Sequence, residues 1–235
     1  MNKQNRSFPK DIWNSFMVKG ATFLEHDIPY CPTTAKSLPA MIITYDEAKS
    51  IYKRNVANGN NYFSHLAYVC FYMDDYKFDG AHGIWQHPQN ALKILRHFAG
   101  VITPDFSTYQ DFPEPLKLYN TYRMRAFGYW LCKCGLNVIN NVRWGTKESF
   151  DYCFVGIPKN SVVAIGTLGG SPKKHIDRQR FNEGFAEMLK ILHPYAIIVY
   201  GSANYSCFDD AKAQDIQIVD FPSKTAKAFS RRKQQ

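Results

Sequence analysis

The chain has 235 residues, of which 45% are hydrophobic and 15% aromatic, a composition typical of one globular domain with a large core. Only 21% of residues are charged, which excludes wholesale disorder, and no apolar run approaches the roughly 18 residues of a membrane-spanning helix. The formal charge of +9 favours polyanionic partners, with nucleic acid first and an anionic membrane surface second.

Strand and helix signals alternate along the chain after an irregular opening. Two proline-containing apolar segments, 8–13 and 23–32, indicate an N-terminal wrap. Runs rich in β-branched and aromatic residues then predict strands at 41–44, 66–73, 101–103, 138–142, 161–168, 196–200 and 216–219. Amphipathic stretches between them predict helices at 45–54, 89–98, 115–134, 148–154 and 181–192.

The predicted fold class is α/β, with mostly parallel strands alternating with helices. Strands that are apolar throughout need cover on both faces, and helices rather than hairpin turns separate them. This pattern favours a compact or incomplete (β/α) barrel, with an open doubly wound sheet as the alternative. Residues 1–222 are predicted to form one domain. Residues 223–235 form a basic tail, either a mobile end or a partner-binding segment.

Polar and aromatic residues stand at or just past the end of most predicted strands. In parallel α/β sheets this is the edge where ligands bind. Because the carboxyl ends of parallel strands meet at one edge, we expect these side chains to face a common cavity. They are Asp74, Asp75, Asp105, Arg143, Trp144, Thr167 and Tyr200.

The carboxylates at this edge have two interpretations. Asp74, Asp75 and Asp105 are candidate catalytic acids and bases. Asp75 and Asp105 are also candidate ligands of a divalent cation, since hard cations prefer oxygen ligands. Each aspartate is equally suited to cap a turn or a helix.

The remaining edge residues are candidate substrate-binding groups. Arg143 would neutralise a phosphate, and Trp144 or Tyr200 would stack on a base. Thr167 would add a hydroxyl at the same edge.

The segment after the strand at 161–168 is a further candidate anion site. Residues 169–171 (GGS) resemble a phosphate-cradling turn, because glycines let backbone N–H groups approach an anion. Lys173, Lys174, Arg178 and Arg180 follow and would reach the same anion. The alternative is a glycine turn that leads into the solvated start of a helix.

Residues 119–130 (YNTYRMRAFGYW) interleave arginines with aromatic residues inside a predicted helix. Arg123 is therefore a candidate for contact with a phosphate or a stacked base. Tyr119, Tyr122 and Trp130 share one helical face, which instead indicates core packing. Both interpretations stay open.

Seven short motifs carry a resemblance to a known family: DDY at 74–76, VITPDFS at 101–107, NTYRMR at 120–125, VRW at 142–144, FVGIPK at 154–159, VAIGT at 163–167 and YG at 200–201. From about residue 71 to 201 the chain resembles a family of bacterial and phage proteins with only a domain-of-unknown-function label, common on mobile elements of Firmicutes. The chain departs from this family at Asn140, where the family usually has proline, and at Gly166, where it usually has serine. The resemblance implies no reaction, but it does imply a phage, prophage or plasmid setting.

Two functions of different classes follow. In the first, the protein binds a phosphate-bearing substrate, nucleic acid or nucleotide, at the strand ends, with metal-assisted hydrolysis as the reaction. In the second, it is a non-catalytic binder that sequesters nucleic acid or inhibits a host defence factor. Sugar hydrolysis is a third, motivated only by the carboxylates and aromatics. The first residues lack the apolar stretch of a secretory signal, so we expect the cytoplasm of a bacterial host and no membrane partner.

Overall fold

The computed structural model describes residues 13–168 and 175–233. Within them, the strands in chain order are β1 Ile42–Thr44, β2 His65–Cys70, β3 Phe98–Ile102, β4 Val138–Asn141, β5 Val162–Gly166, β6 Ala196–Tyr200 and β7 Gln217–Phe221. The α-helices are α1 Tyr45–Ala57, α2 Pro88–Leu95, α3 Glu114–Lys133, α4 His175–Leu192, α5 Cys207–Ala213 and α6 Lys224–Lys233. Short 3₁₀ helices lie at Ser15–Val18, Glu25–Asp27, Asp75–Lys77 and Lys147–Asp151.

The strands form one parallel sheet in which every strand pairs with the next one along the chain. The order is therefore β1-β2-β3-β4-β5-β6-β7. A doubly wound sheet needs a point where the strand order reverses, and the described strands have none. The sheet curls into a half-barrel, which confirms the predicted incomplete barrel and excludes the open doubly wound alternative.

Side chains of each strand alternate between a convex and a concave face, as the period of two requires. On β5, Val163 and Ile165 pack against the helices on the convex side, where Phe185 of α4 joins the same cluster. Ala164 of β5 and Tyr200 of β6 belong to a separate cluster on the concave side. Both faces are thus apolar, which explains why the strands are apolar throughout.

Aromatic rings fill the concave face near the strand ends. Tyr72 stacks on Tyr200 with ring centroids 5.4 Å apart and planes 16° apart. Gly166 lies against the first of these rings, because a Cβ there would come within 2.6 Å of Cδ1 of Tyr72. A serine at this position, which the family resemblance implies, would require the ring to move.

Helix α6 lies across the opening of the half-barrel. The sheet is open there because no pairing among the described strands joins β7 to β1. Lys224 forms an ion pair with Asp46 of α1 at 2.8 Å, and its backbone N–H donates to the hydroxyl of Tyr200. The ammonium group of Lys227 donates to the carbonyl of Ile42 at 3.3 Å. Most of the residues expected to form a basic tail therefore form a helix, although the domain boundary at residue 222 stays a prediction.

One predicted helix is shorter and of a different type, and another helix was missed. The helix predicted at 148–154 is a 3₁₀ helix at Lys147–Asp151, where the Ser149 hydroxyl donates to the carbonyl of Thr146 and accepts from the backbone of Gly145. Such side-chain to backbone bonds compete with a regular helix. Helix α5 was not predicted, because it spans only seven residues and carries two aspartates in its first turn.

Arg125 of α3 fixes the end of β4 from the convex side. Its guanidinium group is fully buried and donates to three backbone carbonyls, those of Asn141, Cys153 and Val155, at 3.1, 2.8 and 3.1 Å. Burial lowers the pKa of Arg125 to about 10. The contact to Asn141 matters for the site, because the residues just after β4 enter the cavity described next.

Candidate ligand-binding site at the strand ends

A cavity of about 420 Å³ lies at the carboxyl ends of the strands, and residues at or just past the ends of all seven strands line it. Its volume is within the usual range for small-ligand sites. Five of the residues proposed from the sequence line it together: Asp74, Asp75, Asp105, Arg143 and Tyr200. The expected meeting of these groups at one edge is what the structure shows, while their roles stay predictions.

Asp75 is a half-buried carboxylate held in place by Ser107. The backbone N–H of Ser107 donates to Oδ2 at 3.1 Å, and its hydroxyl donates to Oδ1 at 2.8 Å. Burial raises the pKa of Asp75 above its usual range, because the two bonds from Ser107 offset only part of the desolvation and the neighbouring Asp105 and Asp79 carboxylates add to it. Such a group titrates closer to neutral pH than an ordinary aspartate.

A polar chain runs from the buried floor of the cavity to Asp105. The hydroxyl of Tyr72 donates to Oδ1 of Asn141 at 2.9 Å, and Nδ2 of Asn141 donates to Oδ1 of Asp105 at 2.9 Å. The other oxygen of Asp105 lies 3.7 Å from Nη1 of Arg143. Burial raises the pKa of Tyr72 well above its usual range. The chain therefore orients the Asp105 carboxylate with a neutral donor beneath it.

Asp74 lies at the mouth of the cavity and is more exposed than the neighbouring Asp75. Its side chain is 63% exposed and forms an ion pair with Lys77 at 2.7 Å. Exposed pairs of this kind contribute little to stability.

Tyr200 lines the cavity, but it is 2% exposed and Tyr72 covers one face of its ring, so its role in stacking on a ligand stays a prediction. The aromatic side chain with exposed area at this edge is Tyr109, which is 51% exposed. It follows β3, four residues after Asp105.

Sequence reasoning also missed two lining residues at the edges of the sheet. Asp46 follows β1 and Lys224 follows β7. Burial alone would raise the pKa of Asp46, but hydrogen bonds from Lys224 and Thr44 outweigh it and leave the pKa lowered. The signal that could have found both is the one that found the other lining residues: a charged residue just after a strand, here after the first and the last strand.

A second cavity, of about 220 Å³, adjoins the first and shares Tyr109, Arg143 and Gly166 with it. Trp144 lines this second cavity rather than the first. Its indole packs against Gly184 so closely that a Cβ there would lie 2.3 Å from the ring, and its ring centroid is 5.3 Å from that of Phe181.

The other proposed substrate-binding residues lie outside both cavities or outside the described residues. The hydroxyl of Thr167 donates to the carbonyl of Ser202 at 3.1 Å and accepts from its backbone N–H, so it fixes a turn. Arg178 is exposed on α4 and lines neither cavity. Lys173, Lys174 and the segment 169–171 fall in the stretch that the structure does not describe.

Arg123 is buried under the site instead of lining it. Its guanidinium group pairs with both carboxylate oxygens of Asp79, at 3.0 and 2.8 Å, and lies 3.9 Å from the ring centroid of Phe106. It also donates to Asn120, whose side-chain amide donates to the carbonyl of Ser107. Arg123 therefore supports the residue that holds Asp75, and the core-packing interpretation fits its position.

Over residues 13–168 and 175–233, no three His, Cys, Asp or Glu side chains are grouped to hold a metal ion, so a cation on Asp75 and Asp105 stays a prediction. None of the helices in the described part of the chain has both the length and the apolarity to cross a membrane.

Comparisons with known proteins give a family and phage relatives. The family described as "Domain of unknown function (DUF4417)" matches residues 22–222. The chain is 35% identical over 136 residues to "Gene 1 protein" of Mycobacterium phage L5, covering 57% of each protein. It is 33% identical over 148 residues to "Gene 1 protein" of Mycobacterium phage D29, covering 63% of this chain and 52% of that protein. The matches thus span little more than half the length of these relatives. No solved structure matches the chain.

Proposed function

We propose that this chain, which belongs to the DUF4417 family of unknown function and has relatives in phages, binds a nucleotide. The binding site is the cavity at the strand ends. The nucleotide is either free or a unit of a nucleic acid. One observation carries the proposal: Arg143, the two carboxylates Asp75 and Asp105, and the exposed ring of Tyr109 line a single cavity.

Each of these groups suits one part of a nucleotide. Arginine presents a planar set of N–H donors that matches a phosphate. Carboxylates accept hydrogen bonds from ribose hydroxyls or from base amino groups. An exposed tyrosine ring gives a base a face to stack on. The net charge of +9 adds a general attraction for phosphate-bearing ligands.

The carboxylates are fixed before any ligand arrives. Ser107 holds both oxygens of Asp75, and Asn141 holds one oxygen of Asp105. Fixed acceptors lose little freedom on binding, so they favour selective recognition. The fixed positions of these carboxylates therefore support a binding function.

Calorimetric titration with the four ribonucleoside 5′-monophosphates and their deoxy forms tests the proposal. We expect at least one of them to bind with a 1:1 stoichiometry. A charge-assisted hydrogen bond contributes about 1.5–3 kcal/mol, so Arg143→Gln should weaken that binding by about tenfold or more. Arg54→Gln, which removes the same charge from an exposed position on α1, is the matched control and should leave the affinity unchanged. Absence of binding by all eight nucleotides and by oligonucleotides contradicts the proposal.

Hydrolysis and sequestration differ in what happens to the ligand. Incubating a labelled oligonucleotide with the protein, with and without Mg²⁺ or Mn²⁺, separates them by product analysis. Cleavage that Asp75→Asn and Asp105→Asn abolish would assign catalytic roles to these carboxylates. Intact ligand with retained binding would favour sequestration, the second candidate.

The salt dependence of binding separates nucleic acid from a protein partner. Affinity dominated by phosphate contacts falls steeply as salt rises, because binding releases counterions. Inhibition of a host factor stays a prediction, and a salt-insensitive affinity for a host protein would favour it.

A further inference from the structure

The two cavities at the strand ends adjoin each other. They share Tyr109, Arg143 and Gly166, so these three residues lie at the boundary between them. Gly166 contributes no side chain at this junction, and the ring of Tyr72 occupies the space where a Cβ would stand. We call the two adjoining cavities together the trough, with Arg143 between its halves.

The two halves of the trough differ in chemistry. The first is lined by four aspartates together with Lys77, Lys224 and Arg143. The second is lined by apolar and aromatic side chains as well as by charged ones. Its two arginines, Arg143 and Arg180, are matched in number by two aspartates, and the lining includes Val142, Trp144, Ile165, Phe181, Asp111 and Asp177. A polar half beside an aromatic half suits a ligand with more than one unit.

The side chains of the second half are fixed, and one of them lacks a partner. Trp144 packs against Gly184 and Phe181. Arg180 donates to the side-chain oxygen of Gln110, which lines the same cavity. The hydroxyl of Thr108 is buried and has no hydrogen-bond partner among the described residues, although Thr108 is 4% exposed and lines the cavity. Buried hydroxyls are normally bonded, but this oxygen has no accessible surface, so it reaches a ligand in the second half only if the Thr108 side chain rotates.

We infer that the trough takes a single-stranded nucleic acid in two consecutive nucleotide units, with the phosphate between them on Arg143 and the second unit in the cavity of Arg180, Thr108 and Trp144. The inference rests on the proposed function, which requires only that the first cavity binds one nucleotide. The inference adds that the substrate is a nucleic acid strand. A mononucleotide would fill one half of the trough and leave the other half empty. Aromatic side chains stack on any base, so the second half is expected to tolerate all four bases.

Binding of 5′-phosphorylated oligoadenylates of one, two and four nucleotides, measured by calorimetry, tests the inference. The affinity is expected to rise at least tenfold from one nucleotide to two. From two to four it is expected to rise by no more than a few-fold, because two units fill the trough. Equal affinities for one and two nucleotides overturn the inference but leave the proposed function standing, whereas no binding at any length overturns both.

A pair of neighbouring arginines on α4 supplies the matched variants. Arg180→Gln is expected to weaken binding of the dinucleotide by about tenfold and to leave the mononucleotide unchanged. Arg178→Gln removes the same charge two residues away, outside both cavities, and is expected to change neither affinity. Equal weakening of mononucleotide and dinucleotide by Arg180→Gln, or equal effects of the two variants on the dinucleotide, would overturn the placement of the second unit.

Discussion

Helix α3 and the cavity at the strand ends both contain arginines, but they use them differently. On α3, Arg125 is 0% exposed with three carbonyl partners, and Arg123 is paired with both oxygens of Asp79. At the cavity, Arg143 lies 3.7 Å from Asp105 and lines two adjoining cavities. The guanidinium groups of α3 therefore stabilise the fold, whereas that of Arg143 faces space in which a ligand fits.

This comparison predicts the largest effect at Arg125. Arg125→Met removes three hydrogen bonds to backbone carbonyls from a fully buried position, which should lower the free energy of unfolding by about 3 kcal/mol or more. Urea denaturation followed by circular dichroism measures it. Arg143→Met is the comparison and should lower the free energy of unfolding by less than Arg125→Met does, because its contact to Asp105, at 3.7 Å, is longer than the bonds of Arg125. Equal costs at the two positions would remove the distinction between the two regions.

The second prediction concerns the ion pair under the site. Asp79→Asn leaves the buried guanidinium of Arg123 without its counter-charge and should lower the free energy of unfolding by about 2–3 kcal/mol. A double-mutant cycle with Arg123→Met should show that the two costs are not additive, because both variants break the same pair. Additive costs would mean that the pair contributes no coupling energy.

The contrast between these arginines also shows what the sequence could and could not predict. The strand runs were found within a few residues, because apolar β-branched segments are a local signal. The roles of Arg123 and Arg143 were not separable, since both stand among aromatic and polar residues in the chain. The partner of Arg123 lies 44 residues away and those of Arg125 lie 16 to 30 residues away, so only the folded chain distinguishes them.

The site was predictable to the extent that it follows from topology. Asp75, Asp105 and Arg143 were expected to meet because parallel strands end at one edge, and they do. Trp144 and Tyr200 were expected to stack on a ligand, but their exposure depends on tertiary neighbours such as Gly184 and Tyr72, which no local pattern reveals.

The third prediction compares two carboxylates of the cavity whose pKa values shift in opposite directions. Asp75 has a raised pKa, so its contribution to stability is present below the unfolded value of about 4 and is lost as the pH rises through the folded pKa. Asp46 has a lowered pKa, so its contribution is present above the unfolded value and is lost as the pH falls through the folded pKa.

Opposite trends should therefore appear in the two asparagine variants. Relative to the wild type, Asp75→Asn should become more stable as the pH rises from about 4 to 7, and Asp46→Asn less stable over the range where Asp46 ionises. Denaturant unfolding at half-unit pH intervals gives both curves. Parallel curves for the two variants would contradict the assignment of different environments to the two sides of the cavity.

The smallest effect is expected at Lys224, where helix α6 meets α1 across the open edge of the half-barrel. Its ion pair with Asp46 is largely exposed, so Lys224→Met should lower the free energy of unfolding by less than about 1 kcal/mol, and 0.5 M salt should reduce the difference. Lys212→Met, which breaks an exposed pair within α5, is the matched control. Nucleotide binding adds a second readout, because Lys224 lines the cavity and Lys212 does not. A loss of affinity with Lys224→Met but not with Lys212→Met would show that α6 belongs to the site as well as to the closure of the sheet, and equal affinities would confine it to closure.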